Sequence, residues 1–413
     1  MAKKYDFDYI IIGSGPAGRT IAKRLVGAKK HIAIVDYDEF GGAEINTRDL
    51  PYKINLDFAH AYHELTNHPA IGNSSFHFNF PTLIANSERI IKNTRFKLQA
   101  DYANLGITII TGFANFLDNH TIAIDENRYT AENFIIATGS DLKVNEISGL
   151  DGVKFFTPDT IFEAHRLPEF AFVVGGGPTG VEIAEYLAML GTTVIIMERG
   201  PQLLPREDED ISKLITEYFT KDLDIKVMPN AKVVGITEDY NSKIVIFTDG
   251  TGEKMVRVDS IILATGSEPI LDFGLENAGV EYKKTGITVD KYFNTSAKNI
   301  YAIGDCIGCD NSSTERATHD ANILAENLLH RGKTTEKFQG VARTIGTCQE
   351  VAITGLNERD ATARDINYKK SITSLGKNNY VKILTDRSGR TIGTTVVAKD
   401  ASFAFKLHKL LTK

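Results

Sequence analysis

The chain has 413 residues, of which 42% are hydrophobic and 24% are charged, and its formal net charge is −6. This length exceeds what one hydrophobic core usually holds, so we expect two or three domains, and the acidic balance gives no reason to expect a nucleic-acid ligand. No apolar run approaches the roughly 18 residues of a membrane span, and the N-terminus lacks the apolar core of a signal peptide, which favours a cytoplasmic location.

A strand–turn–helix–strand unit is the first set of predicted elements. The apolar residues 8–12 precede a Gly-Ser-Gly-Pro-Ala-Gly motif at residues 13–18, and a helix over residues 19–26 and a strand over residues 31–36 follow. In such a turn the first glycine permits the tight bend, the second admits a pyrophosphate, and the third lets helix and strand pack closely. The helix start offers N–H groups to phosphates, and Asp36 is placed to accept hydrogen bonds from ribose hydroxyls. The unit predicts a dinucleotide site, with an ordinary strand–turn–helix as the alternative.

The same pattern recurs in the middle of the chain. A strand over residues 169–174 leads into a second glycine motif at residues 175–180, then a helix over residues 181–190 and a strand that ends at Glu198. Two dinucleotide sites in one chain most simply hold an electron donor and an electron acceptor. The acidic Glu198 favours an unphosphorylated ribose, hence NAD over NADP, although the adjacent Arg199 is compatible with a 2′-phosphate.

Two later segments echo each other. Residues 134–139 and 261–266 are apolar strands that each end in Ala-Thr-Gly, a turn small enough for backbone to pass close to a ligand. Short strands with Asn, Asp and Gly turns between Glu198 and Ile261 predict an inserted β-meander, including residues 243–248 and 256–258. A further buried strand is expected over residues 299–305, where it closes with Gly-Asp.

These motifs and their order resemble the pyridine nucleotide–disulfide oxidoreductase family, which includes dihydrolipoamide dehydrogenase, glutathione reductase and mercuric reductase. The resemblance runs from about Tyr9 to Thr395 and includes both glycine motifs, both Ala-Thr-Gly turns, the segment Glu-Arg-Gly-Pro-Gln-Leu-Leu-Pro from Glu198, and Glu-Val-Ala-Ile-Thr-Gly-Leu from Glu350. It implies FAD in the first site, a nicotinamide cofactor in the second, and a hydrogen bond from Asp305 to the ribityl chain of FAD.

The resemblance also implies an α/β fold with two Rossmann-like dinucleotide-binding domains. An FAD-binding domain is expected over residues 1–147 and 272–337, and an NAD(P)-binding domain over residues 148–271. A shortened α/β domain is expected over residues 338–413, and because family members dimerise through this last domain, we expect a homodimer.

A helix is predicted to start near Ser313 and to run to about Leu329, because Ser312 and Glu315 have the spacing of a capping box. In the family the N-terminus of this helix points at the flavin, where its dipole stabilises the negative charge of the reduced ring. A well-capped surface helix accounts equally for the same residues.

Glu44 and Asp49 stand where the related enzymes have the two cysteines of their redox disulfide. A carboxylate forms neither a disulfide nor a thiolate, so the sequence argues against disulfide reduction. The two acids either relay protons to an acceptor such as a quinone, or form a structural charge cluster with Arg48.

Lys53 and Glu182 match a lysine near flavin N5 in the family and the glutamate that pairs with it. The resemblance implies a buried ion pair, because a buried lysine needs an anion to remain charged. A loop lysine and a helix-surface glutamate are the alternative.

The C-terminal stretch departs from the family as well, because the sequence stops at Lys413, before the His-Pro segment that supplies an acid–base histidine. The last residues predict a helix whose packing face is Phe403, Leu407 and Leu410, with a membrane-surface helix as the alternative. Cys306 and Cys309 are either a redox dithiol or filler residues. Three cysteines and scattered histidines do not build a zinc site or a disulfide framework, so no metal is predicted.

We therefore predict an FAD-dependent NAD(P)H oxidoreductase that passes electrons from NADH through flavin to a small-molecule acceptor other than a disulfide: a quinone, dioxygen, a dye or a nucleotide. A nucleotide transhydrogenase, and an FAD- and NADH-binding protein without turnover, are the alternatives. The predicted catalytic residues are Lys53, Glu182, Glu44 and Asp49. The predicted cofactor-binding residues are Gly13, Gly15, Pro16, Ala17, Gly18, Asp36, Gly42, Lys53, Thr138, Gly139, Gly175, Gly177, Gly180, Glu198, Gly266, Gly304, Asp305 and Thr314.

Overall fold

The computed structural model describes residues 5–71, 76–144, 146–240, 242–308, 313–330, 334, 341–376, 378–399, 401 and 403–411. The chain divides into two compact units, the first with residues 1–51, 88–141 and 267–337 and the second with residues 52–87, 142–266 and 338–413. The division falls inside the helices Asp49–Thr66 and Phe80–Asn104. The domain boundaries expected from the sequence stay predictions. None of the described helices combines the length and the apolar character that crossing a bilayer requires.

The first unit is built on a seven-stranded sheet with a parallel centre. The strand Phe7–Ile12 lies between Ile32–Asp36 and Asn127–Ile136 and pairs in parallel with both. Its residues alternate between two buried clusters, with Ile10 on one face and Ile11 on the other, as expected for a strand covered on both sides. The remaining strands of the sheet are Thr108–Thr111, Asn115–Asp118, Thr121–Ile124 and Ile300–Ala302.

One face of this sheet is covered by the helices Pro16–Gly27 and Thr314–His330, whose buried residues share one apolar cluster with the sheet. The second of these helices confirms the helix predicted near Ser313. The Ser313 hydroxyl accepts a hydrogen bond from the backbone N–H of Arg316 at 3.1 Å, whereas Ser312 lies outside the described residues. The unit also contains the helix Gly42–Asn46, the 3₁₀ turn Gly304–Ile307 and the short strands Ser267–Pro269, Tyr282–Lys283 and Gly286–Ile287. The division between the units falls inside the short strand Ser140–Leu142.

The second unit contains a four-stranded parallel sheet in the order Lys226–Met228, Thr193–Met197, Phe170–Val174, Ser260–Leu263. The predicted β-meander is confirmed as a three-stranded antiparallel sheet. Along the chain it follows the strand Lys226–Met228 and precedes the strand Ser260–Leu263. Its strands are Lys232–Asp239, Ser242–Thr248 and Glu253–Val258. The helices Pro178–Met189 and Glu209–Asp222 and the 3₁₀ turns Leu150–Gly152 and Ile161–Glu163 belong to the same unit.

The C-terminal residues of the second unit form a five-stranded antiparallel sheet. The strand order is Ala342–Ile345, Glu350–Gly355, Thr391–Ala398, Asn379–Thr385, Lys369–Gly376. The helices Glu358–Ala363 and Ala404–Leu411 accompany this sheet.

The predicted packing face of the last helix is confirmed at Leu407, which packs against the buried cluster that includes Val396 and Ala404. It is wrong at the other two positions, because Leu410 is 69% exposed and Phe403 is 37% exposed. Ala404 and His408, one helical turn apart, are buried instead. His408 is tolerated there because its Nδ1 lies 3.1 Å from the buried Thr394 hydroxyl.

Candidate dinucleotide sites

The glycine motif of the first unit owes its close packing to Gly13 and Gly18. Gly13 has φ +108°, and a Cβ at this position would lie 2.2 Å from the carbonyl oxygen of Ala137. A Cβ at Gly18 would lie 1.9 Å from the carbonyl oxygen of Gly13. Only glycine fits at either position, so the strand can bend sharply into the helix Pro16–Gly27.

The glycine motif of the second unit repeats this arrangement closely. Gly175 has φ +112°, and a Cβ there would lie 2.2 Å from the carbonyl oxygen of Ala264. A Cβ at Gly180 would lie 1.9 Å from the carbonyl oxygen of Gly175. Since Ala137 and Ala264 begin the two Ala-Thr-Gly turns, each of these turns lies against the first glycine of its own motif.

The start of the helix is open for an anion in both units. Gly15 and Gly177 are the N-cap residues, no side chain caps either helix, and a proline at the first helical position supplies no N–H of its own. A Cβ at Gly15 or at Gly177 would meet no atom within 4 Å, so space for a ligand adjoins both residues. Uncapped N–H groups beside open space fit the pyrophosphate of a dinucleotide. Pro16 and Ala17, predicted to bind cofactor, begin the first of these helices.

A carboxylate closes the second strand of each unit. In the first unit Asp36 Oδ2 accepts hydrogen bonds from the backbone N–H of Ser14 at 2.7 Å and from its hydroxyl at 2.5 Å. Burial raises the pKa of Asp36, and the hydrogen bonds from Ser14 oppose that rise. In the second unit Glu198 accepts from the backbone N–H groups of Gly176 at 2.8 Å and Gly200 at 2.7 Å. Both acids thus lie against their glycine motif, as a ribose-binding acid requires.

Several other predicted cofactor residues of the first unit lie close to its glycine motif. A Cβ at Gly42 would lie 2.7 Å from the Cα of Gly15, and a Cβ at Gly304 would lie 3.4 Å from the Cβ of Ala17. Asp305 accepts a hydrogen bond from the Ser140 hydroxyl at 3.0 Å.

The Ala-Thr-Gly turns continue this arrangement. Thr138 donates its hydroxyl proton to the carbonyl oxygen of Ile270 at 3.2 Å. Gly139, in the first unit, and Gly266, in the second, have φ +75° and +97° with open space at the Cβ position.

The two acids at the cysteine positions are both engaged in side-chain contacts. Glu44 forms an ion pair with the buried guanidinium of Arg19. Asp49 accepts a hydrogen bond from the Thr314 hydroxyl at 2.6 Å. Arg48, which the sequence suggested as their partner, donates to the carbonyl oxygen of Ser140 at 3.4 Å. Arg19 was not identified as a functional residue from the sequence. Its position directly after Gly18, the last glycine of the first motif, could have indicated a role beside the phosphate site.

The expected buried ion pair between Lys53 and Glu182 is not formed. Lys53 is exposed, and the contacts between described residues include no hydrogen bond or ion pair of its ammonium group. Glu182 accepts a hydrogen bond from the backbone N–H of Gly346 at 2.7 Å. The Glu182 carboxylate, which was expected to bind Lys53, thus accepts a hydrogen bond from the backbone of Gly346.

A buried acidic residue that the sequence did not single out lies one turn along the same helix. Glu185 is fully buried and accepts a hydrogen bond from the backbone N–H of Cys348 at 2.8 Å. Its second oxygen lies 4.0 Å from His60 Nε2, and neither of these two atoms has a hydrogen-bond partner among the described residues. Glu182 and Glu185 together hold the loop between two strands of the C-terminal sheet.

Cys306 is fully buried, and this burial raises the pKa of its thiol to about 12, which makes it an inert packing residue. Its expected partner Cys309 lies outside the described residues. Within the described part of the chain, one group of acids is close enough to hold a cation: Asp208, Asp210 and Glu358. The buried ammonium of Lys382 contacts all three of these acids, at 2.6, 2.8 and 3.1 Å, so a lysine already neutralises the group.

Each unit therefore contains a glycine cradle of the same design beside an uncapped helix start. The sequence profile of the pyridine nucleotide-disulphide oxidoreductase family matches residues 7–323 of the chain. The chain therefore belongs to this family of flavin-dependent pyridine nucleotide oxidoreductases, as the motifs predicted.

Named relatives cover nearly the whole chain. It is 27% identical over 416 residues to the mercuric reductase of Bacillus cereus, which covers 96% of this chain but only 65% of that relative's length. It is also 27% identical over 413 residues to a dihydrolipoyl dehydrogenase of Bacillus subtilis (strain 168), covering 95% of this chain and 89% of that protein. The HOCl-induced flavoprotein disulfide reductase RclA of Escherichia coli has the same fold, with a TM-score of 0.86 at 24% identity, covering 98% of this chain and 93% of RclA.

Proposed function

We propose that the chain is an FAD-dependent NAD(P)H oxidoreductase that passes electrons from NADH through flavin directly to an acceptor other than a disulfide. One observation carries the proposal. At both positions where the resembling enzymes have redox cysteines the chain has a carboxylate, and each carboxylate is bonded within the first unit, Glu44 to Arg19 and Asp49 to Thr314. No sulfur couple can form between these two positions.

FAD would be held by the first unit. The uncapped start of the helix Pro16–Gly27 would bind its pyrophosphate, and Asp36 would accept hydrogen bonds from its ribose. Asp305 and Thr314 would add polar contacts. When bound, the flavin supplies the two-electron chemistry.

The nicotinamide cofactor would be held by the second unit, with Gly175, Gly177 and Gly180 shaping the phosphate site. The carboxylate of Glu198, held against the glycine motif by two backbone N–H groups, would accept hydrogen bonds from an unphosphorylated ribose. A 2′-phosphate would meet this negative charge, so we propose that NADH is preferred to NADPH.

The roles of the remaining candidates follow from their contacts. The bonds of Glu44 and Asp49 support the structural alternative over proton relay. Lys53 and Glu182 are proposed to act in hydride transfer by resemblance alone. We also propose the three-domain division set out from the sequence, and a homodimer as in the resembling family, which light scattering on the eluting peak of a sizing column would test.

A screen of electron acceptors tests the proposal directly. The purified protein reconstituted with FAD is mixed with NADH and, separately, with a benzoquinone, dioxygen, thio-NADP, oxidised lipoamide or glutathione disulfide, and NADH absorbance is followed. We expect turnover with at least one of the first three acceptors and none above the no-enzyme rate with the two disulfides. A bound FAD that NADH never reduces would favour the binding protein, and turnover with lipoamide would refute the proposal.

A further inference from the structure

Arg19 is a buried cation at the start of the first phosphate-binding helix. It is 8% exposed, and its guanidinium donates hydrogen bonds to the carbonyl oxygen of Ser14 at 2.7 Å and to that of Gly41. The same guanidinium forms an ion pair with Glu44. Because arginine keeps its charge at every pH that a protein tolerates, the group needs an anion when it leaves water.

The contacts of Arg19 close a network around the glycine motif. The backbone N–H of Gly41 donates to the Ser14 hydroxyl at 2.8 Å, and this hydroxyl in turn donates to Asp36. Four segments are therefore tied together: the glycine motif, the ribose-binding strand end, the turn at Gly41, and the short helix that carries Glu44. The turn at Gly41 and Gly42 lies directly against Gly15.

From this geometry we infer that Arg19 and Glu44 are positioning residues for the dinucleotide in the first unit, with Glu44 as the counter-ion of Arg19. The inference rests on the proposed FAD site and deepens it. Arg19 fixes the carbonyl groups that shape the phosphate loop, and Glu44 keeps Arg19 in place. Glu44 is therefore required at a position where the resembling enzymes have a sulfur, and restoring a cysteine there removes the only carboxylate that the described contacts give Arg19.

Flavin affinity is the first test. We expect Glu44→Gln to raise the FAD dissociation constant by about tenfold or more, because an unpaired buried guanidinium distorts the loop. Arg24→Met is the matched control: Arg24 lies on the same helix, but its ion pair with Glu326 is substantially exposed, and we expect a change below about twofold. Arg19→Met combined with Glu44→Leu removes both charges and should recover much of the thermal stability that Glu44→Gln loses.

A thiol introduced at position 44 provides a second readout that does not require bound flavin. In Glu44→Cys the neighbouring Arg19 should lower the thiol pKa well below its usual value of about 8.5, measured from the pH dependence of alkylation. Adding Arg19→Met should return that pKa toward its usual value.

The outcomes separate the inference from the proposed function. A parent chain that takes up no FAD would overturn both. A parent chain that binds FAD while Glu44→Gln keeps the parent affinity, or an introduced thiol whose pKa is unaffected by Arg19→Met, would overturn the inference and leave the proposed function intact.

Discussion

Gly15 and Gly177 hold equivalent places in the two glycine motifs, and an added Cβ at either would meet no protein atom within 4 Å. Their φ angles of −63° and −72° suit any L-residue. Gly18 and Gly180 differ from them, because a Cβ at these positions would lie 1.9 Å from a carbonyl oxygen. The fold therefore requires the last glycine of each motif, whereas no described protein atom lies close enough to require the middle one.

Replacing the middle glycines separates ligand binding from folding. We expect Gly15→Ala to keep the parent thermal unfolding temperature and to weaken FAD binding by about tenfold or more, because the methyl group would occupy the approach of the pyrophosphate. Gly177→Ala should instead weaken NADH binding and spare FAD. Isothermal titration with each ligand and thermal unfolding measure both effects.

Gly27→Ala is the control for these two substitutions. Gly27 is the last residue of the helix whose N-cap is Gly15, and its Cβ position is also open. It should change neither affinity. If Gly15→Ala bound FAD as tightly as the parent, the assignment of the first site would be wrong.

The two described cysteines should differ in reactivity. Burial raises the pKa of Cys306 to about 12, so almost no thiolate is present at pH 8, and we expect no alkylation by iodoacetamide in the native protein. Cys348 is only partly buried and should react faster, although burial and the Glu185 carboxylate also raise its pKa. Peptide mass spectrometry after timed labelling, with a denatured sample as the control, measures both; rapid native labelling of Cys306 would contradict its assignment as a packing residue.

At the scale of elements, the sequence predicted what local patterns determine. Both strand–turn–helix–strand units, the inserted meander and the helix Thr314–His330 were confirmed, because apolar runs and glycine spacing specify them within a few tens of residues. The family was predicted correctly for the same reason, since its motifs are local.

The sequence could not predict contacts between distant segments. Arg19 and Glu44 are 25 residues apart, and Lys382 lies 174 residues from Asp208, so no local period reveals either ion pair. Lys53 was expected to be buried, but its partner Glu182 bonds a backbone amide that lies 164 residues away. In the last helix Leu407 packs as predicted, whereas Phe403 and Leu410 are exposed and Ala404 and His408 are buried.

The Lys382 cluster, which consists of Lys382, Asp208, Asp210 and Glu358, connects one strand and two helices of the second unit. Its ammonium group is fully buried and contacts Asp208 and Asp210, at the start of the helix Glu209–Asp222, and Glu358, at the start of the helix Glu358–Ala363.

Lys382→Met leaves these carboxylates uncompensated, and we expect it to lower the free energy of unfolding by about 3–5 kcal/mol. Lys370→Met is the matched control, because Lys370 also pairs with Glu358 but its side chain is 43% exposed; its cost should stay below about 1 kcal/mol. Urea unfolding at pH 7 measures both losses of unfolding free energy. Equal losses in the two variants would contradict the stabilising role of the buried Lys382 cluster.

The same cluster predicts a direction for acid unfolding. Burial opposes ionisation of Glu358, but the hydrogen bonds from Lys370 and Lys382 prevail and lower its pKa below the ordinary value of 4.5. A carboxyl group with a lowered folded-state pKa stabilises the protein above its ordinary pKa, and this contribution is lost as the pH falls through the folded-state value. We expect the urea midpoint to fall between about pH 5 and pH 3, and to fall less in Lys382→Met, because Glu358 then loses one of the two hydrogen bonds that lower its pKa. A steeper fall in the variant would contradict this account.

At the scale of the whole molecule, the chain has two glycine cradles of one design, and by its resemblance to the family Glu44 and Asp49 stand at the positions of the redox cysteines. Both carboxylates are bonded within the first unit, Glu44 to Arg19 and Asp49 to Thr314. On the proposed function the flavin is the redox centre of the chain, since no sulfur couple can form between Glu44 and Asp49.

The electron capacity of the purified flavoprotein tests this claim most directly. In an anaerobic titration with NADH, followed by the visible absorbance of the flavin, we predict complete bleaching after one equivalent per flavin, because the flavin alone accepts two electrons. No long-wavelength thiolate-to-flavin band should appear at any point of the titration. Consumption of a second equivalent, or the growth of such a band, would reveal a sulfur couple and contradict the account.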